Sequence, residues 1–519
     1  MSDVATGEPS TPHARGSGSL AVPALWIAAA RTVAFTLTLF LPLLLVRRLD
    51  QTDYGIYKQS FLLLSTALNI LPLGFHMTAF YFLPRESSRQ GQVVLNILLF
   101  HACAAGLGCL VLVAYPDLLG HIFNSSDLVS YAPLLGLVIL LWVTASPLEY
   151  IAIADQQPRL ATVFIVASQI TFTLLMLSAA ILFGSLQALL TATAIQGAIQ
   201  TTILTVYLAR RFKAFSVGLD WTLTRTQIAY AVPLGLAGLI WSLQLQIHHY
   251  FVSNRFDAAT YAIYAVGIFQ MPLIGILSDS VGSVMIARVS QLQKEDRPGE
   301  ILRLTVRMVR KLAAAYLPIY AFMLIIGHEF IMLLFTSRYL DSWPIFVVNL
   351  TMIPLGMVSS AFDPIMRAYP AHRYYLLRTR AIVLFFLIVA LWFGTDRFGP
   401  VGVITMVVVA NAVERLFIGL KAANILGASW RDLVLLRDVG KLGVAAFLAL
   451  VVTAVARSFL LNAGPFAVLA VGALLFGAVY VTGVWLIGVP TADERAMFFS
   501  RVSGMYRLAS RVARAGSST

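Results

Sequence analysis

Residues Arg48 to Tyr57 read RLDQTDYGIY, and residues Arg255 to Tyr264 read RFDAATYAIY. Arg, Asp, Tyr, Ile and Tyr coincide in register at an offset of 207 residues, 48 against 255. Each copy directly follows a long apolar stretch, 20–46 in the first case and 227–251 in the second. A looser echo pairs Phe123, Ser125 and Pro133 with Phe335, Ser337 and Pro344. Self-similarity at matching places along a chain marks an internal duplication.

The solvent of the duplicated unit follows from composition. The 519 residues are 59% hydrophobic and 12% charged, with a mean hydropathy of +0.83. Soluble domains average roughly 25% charged residues, so this is a polytopic, all-α membrane protein. Hydropathy predicts fourteen spans of about 20 residues or more. They cover 20–46, 56–83, 92–115, 131–153, 160–183, 186–209, 227–251, 260–286, 311–335, 343–366, 377–395, 400–424, 441–461 and 465–489. Six spans per repeat is an even number, so the two halves run parallel and an axis along the membrane normal relates them. The expected organisation is a polar tail (1–19), an N-terminal lobe (20–209), a basic linker (210–226) and a C-terminal lobe (227–425). Two further spans (441–489) and a basic amphipathic tail (490–519) complete it, with a central cavity between the lobes.

The net charge of +13 suggests nucleic acid until the charges are placed. With tails and loops assigned alternately to the two sides, one side holds 28 Lys/Arg. The other holds only Arg47, Arg48, Lys58, Arg255, Arg338 and Arg397, while Arg31, Arg415 and Arg457 fall within spans. This asymmetry orients the chain with both termini in the cytoplasm and leaves no role for nucleic acid.

Other features exclude more than they assert. Cys103 and Cys109, six apart on one predicted helix, face different ways and suit neither a disulfide nor a metal. Residues 1–19, rich in Gly, Ser, Pro and Thr, read as a disordered tail. The stretch after them is too long for the apolar core of a cleaved signal peptide. There is no P-loop, no second His after His328-Glu329 to make a zinc helix, and no nucleophile elbow. The longest external loop, about 116–130, offers only Asp117, His121 and Asp127. A membrane-embedded polymerase, ligase or glycosyltransferase would lack room to hold an acceptor. Pro-Leu-Gly recurs inside spans at 72–74, 233–235 and 354–356, where each removes a helical hydrogen bond and can bend the helix.

Several of these segments together resemble a known family. They are Asp53 to Tyr57, Leu71-Pro72-Leu73-Gly74 through Phe82-Leu83-Pro84-Arg85, and Tyr230 to Gly235 (YAVPLG). Ala262 to Gly267 with Pro272, and Leu334-Phe335 before Tyr339, complete the set. In order and spacing, over about 20–425, the chain is similar to the polysaccharide flippases of the multidrug/oligosaccharidyl-lipid/polysaccharide exporter superfamily. The resemblance implies two helical lobes that move a polyprenyl-diphosphate-linked oligosaccharide from the cytoplasmic to the outer leaflet by alternating access. It implies no cofactor and no catalysis, with proton or sodium coupling instead. The process served would be capsule, exopolysaccharide or O-antigen assembly in the inner membrane. The implied partners are membrane lipid, a polysaccharide polymerase and a chain-length regulator. A drug/cation antiporter and a peptidoglycan-precursor flippase belong to the same superfamily. Family members often carry an acidic residue late in span seven, where this chain has His248 and His249.

The candidate site residues are the polar groups that hydrocarbon does not tolerate. Arg31 lies mid-span, where an arginine costs about 2.5–3.5 kcal/mol and must face protein or water. A cavity-facing guanidinium would suit a diphosphate or acidic sugar; an ion pair between helices would satisfy it equally. Glu414 and Arg415 are adjacent in span twelve, about 100° apart on a helix, and so take different partners. Glu149, Asp279 and Asp363 sit in the cytoplasmic thirds of their spans, placed for pairing with the inside arginines or for an ion relay or gate. His248 and His249, at the external end of span seven, suit pH-linked coupling, although adjacent interfacial histidines are commonly solvated. Arg457, near an outer end, can snorkel. Phe498, Val502, Met505, Ala509 and Val512 share one face of the 495–514 tail, opposite Arg507, Arg511 and Arg514, a pattern for lying on an anionic leaflet.

Overall fold

The computed structural model describes residues 41–213, 218–460, 464–490 and 495. Arg31, the first predicted span up to residue 40, the N-terminal tail and the amphipathic face of the C-terminal tail lie outside them. The described chain is helical, with no strand among its described residues. Among the described residues, nine helices are long and apolar enough to cross a membrane, or eleven if two bent pairs each count as one span. The chain divides into two compact units.

One unit takes in residues up to 44, 67–114 and 133–236. Its helices include Gln90–Ala114, Pro158–Leu182 and Leu186–Phe212. Pro158 opens its helix at the first turn, where no N–H is required, and the Ser185 side chain accepts the Ala188 N–H to start the next. Phe75, Phe82, Val94, Ile97, Ile151, Leu204 and Leu208 form the core. A buried amide pair crosses it: Asn96 Nδ2 donates to Gln227 Oε1 at 2.8 Å. Asp155 accepts from Arg211 Nε and Nη2 at 2.8 and 2.9 Å and from Tyr207 at 3.1 Å.

The two Pro-Leu-Gly motifs of this unit lie against each other. At Leu73 (φ 44°) and Gly74 (φ 70°), between the helix ending at Ile70 and the one that follows, the backbone is left-handed. A Cβ on Gly235 would stand 2.1 Å from the Leu73 carbonyl oxygen, so only glycine permits this approach. The third motif behaves differently. Pro354 falls in the first turn of Met352–Ala368, just after Thr351 separates it from the preceding helix Trp343–Leu350.

The other unit holds 45–66, 115–132 and 237–519. It contains both copies of the repeat, and the copies touch. A Cβ on Gly55 would lie 1.9 Å from the Ala258 carbonyl oxygen. Each copy uses its aspartate to start a helix: Asp50 Oδ1 accepts the Asp53 N–H at 2.7 Å, and Asp257 Oδ1 accepts the Thr260 N–H at 2.9 Å. Tyr54 and Tyr57, and in matching register Tyr261 and Tyr264, stand three residues apart in each copy and are all buried. Arg47 donates to the Leu333 and Leu334 carbonyls at 2.6 and 3.0 Å, closing the C-terminal end of Pro298–Phe335. The loop predicted at 116–130 is two short helices, Asp117–Phe123 and Ser126–Ser130, tied to Asn254 through the His121 and Ile122 carbonyls.

Spans eleven and twelve form one continuous helical segment, Arg373–Ile425, interrupted at Gly399 (φ 63°). Arg380 and Glu414, 34 residues apart, are hydrogen-bonded, so the chain reverses there into a hairpin. The last two helices, Arg437–Phe459 and Pro465–Leu486, pack through Ala446, Ala449 and Phe476 onto Ala321 and Ile325. Arg457 reaches a carboxylate on another helix. Its Nε and Nη2 donate to Glu329 Oε1 at 2.8 and 2.6 Å.

Candidate functional site

Three stretches of helix bring a set of charges together inside the second unit. Arg380, on the first arm of the hairpin, donates from Nη2 to Asp363 Oδ2 at 2.9 Å and from Nε to Glu414 Oε1 at 3.0 Å. Its guanidinium lies 4.3 Å from the centre of the Trp241 ring. Gln244 Nε2 donates to the other Glu414 oxygen. Arg415 turns to separate partners, Ser359 Oγ at 3.1 Å and Asn411 Oδ1 at 2.9 Å. The side chains of Arg380, Asp363 and Glu414 are 12%, 17% and 6% exposed, so these charges sit in a low dielectric and hold one another. The cleft they line has about 10 Å³ of room for a water centre, enough for a single water. Asp363 Oδ1 and Gln244 Oε1 are buried there without a hydrogen-bond partner among the described residues. With two guanidinium groups and two carboxylates the cluster is charge-balanced, and it is sized for a clamp or a proton.

A second cationic place lies along Gln51–Ile70. Lys58 was counted from the sequence as an external loop residue; it stands inside this helix, half-buried. Its Nζ is 5.4 Å from the Tyr54 ring centre, and it has no carboxylate partner among the described residues. His248 and His249 stack beside it at 4.5 Å between ring centres. His248 shares a 2.7 Å hydrogen bond with Tyr264, and His249 a 3.1 Å one with Tyr261. The helix carrying them extends to Arg255, so the pair lies more than a turn inside its end, and His248 is buried rather than solvated.

Of the residues singled out in the sequence, Glu414, Arg415 and Asp363 meet in one cleft. Their distinct partners match the expectation from helical geometry. Glu149 stands in the first turn of Leu148–Ala154 in the other unit. Asp279 is on Pro272–Lys294, its side chain outside the described residues, as is Arg31. Arg380, Trp241, Gln244 and Lys58 were not singled out. The available signal was slight: Arg380 and Lys58 lie within a turn of a predicted span boundary, where a charge reads as belonging to the loop.

The fold resembles that of solved transporters. Lipid II flippase MurJ in an inward closed conformation superposes with a TM-score of 0.67 at 13% identity, covering 88% of this chain and 98% of that one. An inward-facing multidrug resistance MATE family transporter of the MOP superfamily gives 0.59 at 14% identity, covering 76% and 94%. No curated protein matches in sequence. The chain thus shares its fold with these transporters, and its apolar helices are those of a multi-pass membrane protein. Residues 44–344 match the family described as polysaccharide biosynthesis protein, and the chain belongs to that family.

Proposed function

We propose that the protein is a flippase, not an enzyme. It carries polyprenyl-diphosphate-linked oligosaccharide from the cytoplasmic to the outer leaflet for capsule, exopolysaccharide or O-antigen assembly. The setting is the cytoplasmic membrane, with both termini inside and the lobes 20–209 and 227–425 alternating in access. The observation that carries the reading is Lys58, a cation on a membrane helix beside tyrosine and imidazole with no carboxylate to neutralise it among the described residues. Such a group favours an anionic ligand, and a diphosphate supplies the charge. Arg31 on the first span is the second cation of this reading. The stacked His248 and His249 are the coupling candidates, responding to a proton gradient.

The test is leaflet-resolved transfer in reconstituted vesicles. Polyprenyl-diphosphate sugars, including a peptidoglycan precursor, are compared with cationic drugs, with and without pH and sodium gradients. Transfer of the lipid-linked oligosaccharide, lost in Arg31→Ala with normal membrane insertion, is the expected result. Preferential transfer of the peptidoglycan precursor would reassign the substrate within the superfamily. Export of cationic drugs alone, or sugar turnover without transfer between leaflets, would overturn the flippase.

A further inference from the structure

The face of the Arg373–Ile425 hairpin away from the charged cleft is hollow. On the first arm Tyr375, Arg378, Ile382, Phe386 and Ala390 recur at helical spacing, and Val409, Val413 and Phe417 answer on the second. The groove between them encloses about 730 Å³. Its apolar walls are exposed: Phe386 is 65% accessible, Val409 55% and Phe417 49%.

We infer that this groove is a binding site for an anionic glycerophospholipid of one leaflet. Two features choose the occupant. The first is charge. Arg378 lines one end of the groove, and Lys421, one turn beyond Phe417, rests 5.6 Å from the Tyr375 ring at that same end. Neither cation has a carboxylate partner among the described residues. They stand where a lipid phosphate would lie, with an acyl chain running along the apolar walls. The second is length. From Tyr375 to Ala390 the groove runs about 22 Å at roughly 1.5 Å per residue. One leaflet, about 15 Å of hydrocarbon plus a headgroup layer of roughly 5–7 Å, has that depth. A long-chain polyprenyl tail is longer than the groove. The site is separate from the charged cleft and does not depend on what the protein transports.

The test uses the intact protein in vesicles with phosphatidylglycerol or phosphatidylcholine bearing the same photoactivatable acyl chain. Labelling of peptides from 375–390 and 405–417 is expected to be several-fold greater with phosphatidylglycerol. Arg378→Gln with Lys421→Gln removes that preference while apolar labelling persists. Ala390→Trp, which fills the groove, displaces the label to neighbouring surfaces. Equal labelling by both lipids in the unaltered protein reduces the groove to ordinary lipid contact and overturns the assignment. So does displacement of the label by a polyprenyl diphosphate, which gives the groove to the substrate's own chain.

Discussion

Arg380 and Lys58 are both cations on membrane-spanning helices, and their surroundings are opposite. Arg380 is held by two carboxylates and an indole, with every element around it supplying a partner. Lys58 has aromatic rings and two imidazoles within reach and no anion among the described residues. The first arrangement is complete without a ligand, whereas the second is not. A buried charge that the fold neutralises serves structure or gating. One that the fold leaves open marks where a ligand of opposite sign is received. By this criterion the charged cleft is a clamp between Met352–Ala368 and the hairpin, and Lys58 is where the proposed function would place the substrate's diphosphate.

Removing Arg380 is expected to have the largest effect. Arg380→Ala leaves Asp363 and Glu414 facing each other without their shared cation, a loss of about 3–5 kcal/mol. The protein should accumulate poorly and unfold far earlier in detergent. Neutralising the whole set, Arg380→Met with Asp363→Asn and Glu414→Gln, should recover most of that stability. An Arg380→Ala protein as stable as the parent would end the clamp reading.

Next is the pair Arg457–Glu329, where a bidentate guanidinium meets one carboxylate oxygen and the other oxygen is buried without a partner among the described residues. Arg457→Ala should lower unfolding stability by about 2 kcal/mol, between the clamp and an exposed ion pair. An effect under about 0.5 kcal/mol would show that this guanidinium is solvated after all.

Lys58 should behave differently in kind. Lys58→Gln is expected to reduce leaflet transfer at least tenfold, about 1.4 kcal/mol. Unfolding should move little, because no carboxylate is stranded. If instead Lys58→Gln unfolds like Arg380→Ala and transfer by the surviving protein is normal, the contrast between the two cations fails.

How far these assignments could be read in advance differs by residue. The likeness of the two repeat segments was legible because Asp50 and Asp257 cap helices and the tyrosines that follow are buried, both local consequences of short spacing. Adjacency on one helix correctly sent Glu414 and Arg415 to different partners. What could not be read was which spans face which. Trp241 and Gln244 are ordinary residues of span seven until tertiary packing lays them on Arg380 and Glu414. Lys58 was assigned to a loop because hydropathy places the edge of a span only to within a turn. His248 and His249 looked interfacial because their helix continues past the apolar stretch, through Asn254 and Arg255, in a polar sequence that hydropathy does not score as membrane.

The smallest expected effect sits in the repeat and asks whether its aspartates act through the helix start alone. Hydrogen bonding from Thr260 holds the Asp257 carboxyl below its ordinary value. Its folded-state affinity for a proton is therefore lower than in the unfolded chain. The stability it contributes is present above the unfolded value near 3.8 and fades as pH falls through the lower, folded one. Asp257→Ala should cost about 1 kcal/mol at neutral pH, and Asp50→Ala a similar amount from the matching cap. The difference between Asp257→Ala and the parent should narrow toward zero on acidification below about pH 4. A deficit that stays constant with pH would mean that Asp257 acts through packing against Gly55's helix rather than through its charge. The two copies of the repeat would then be joined by shape alone, without the paired caps that make them equivalent.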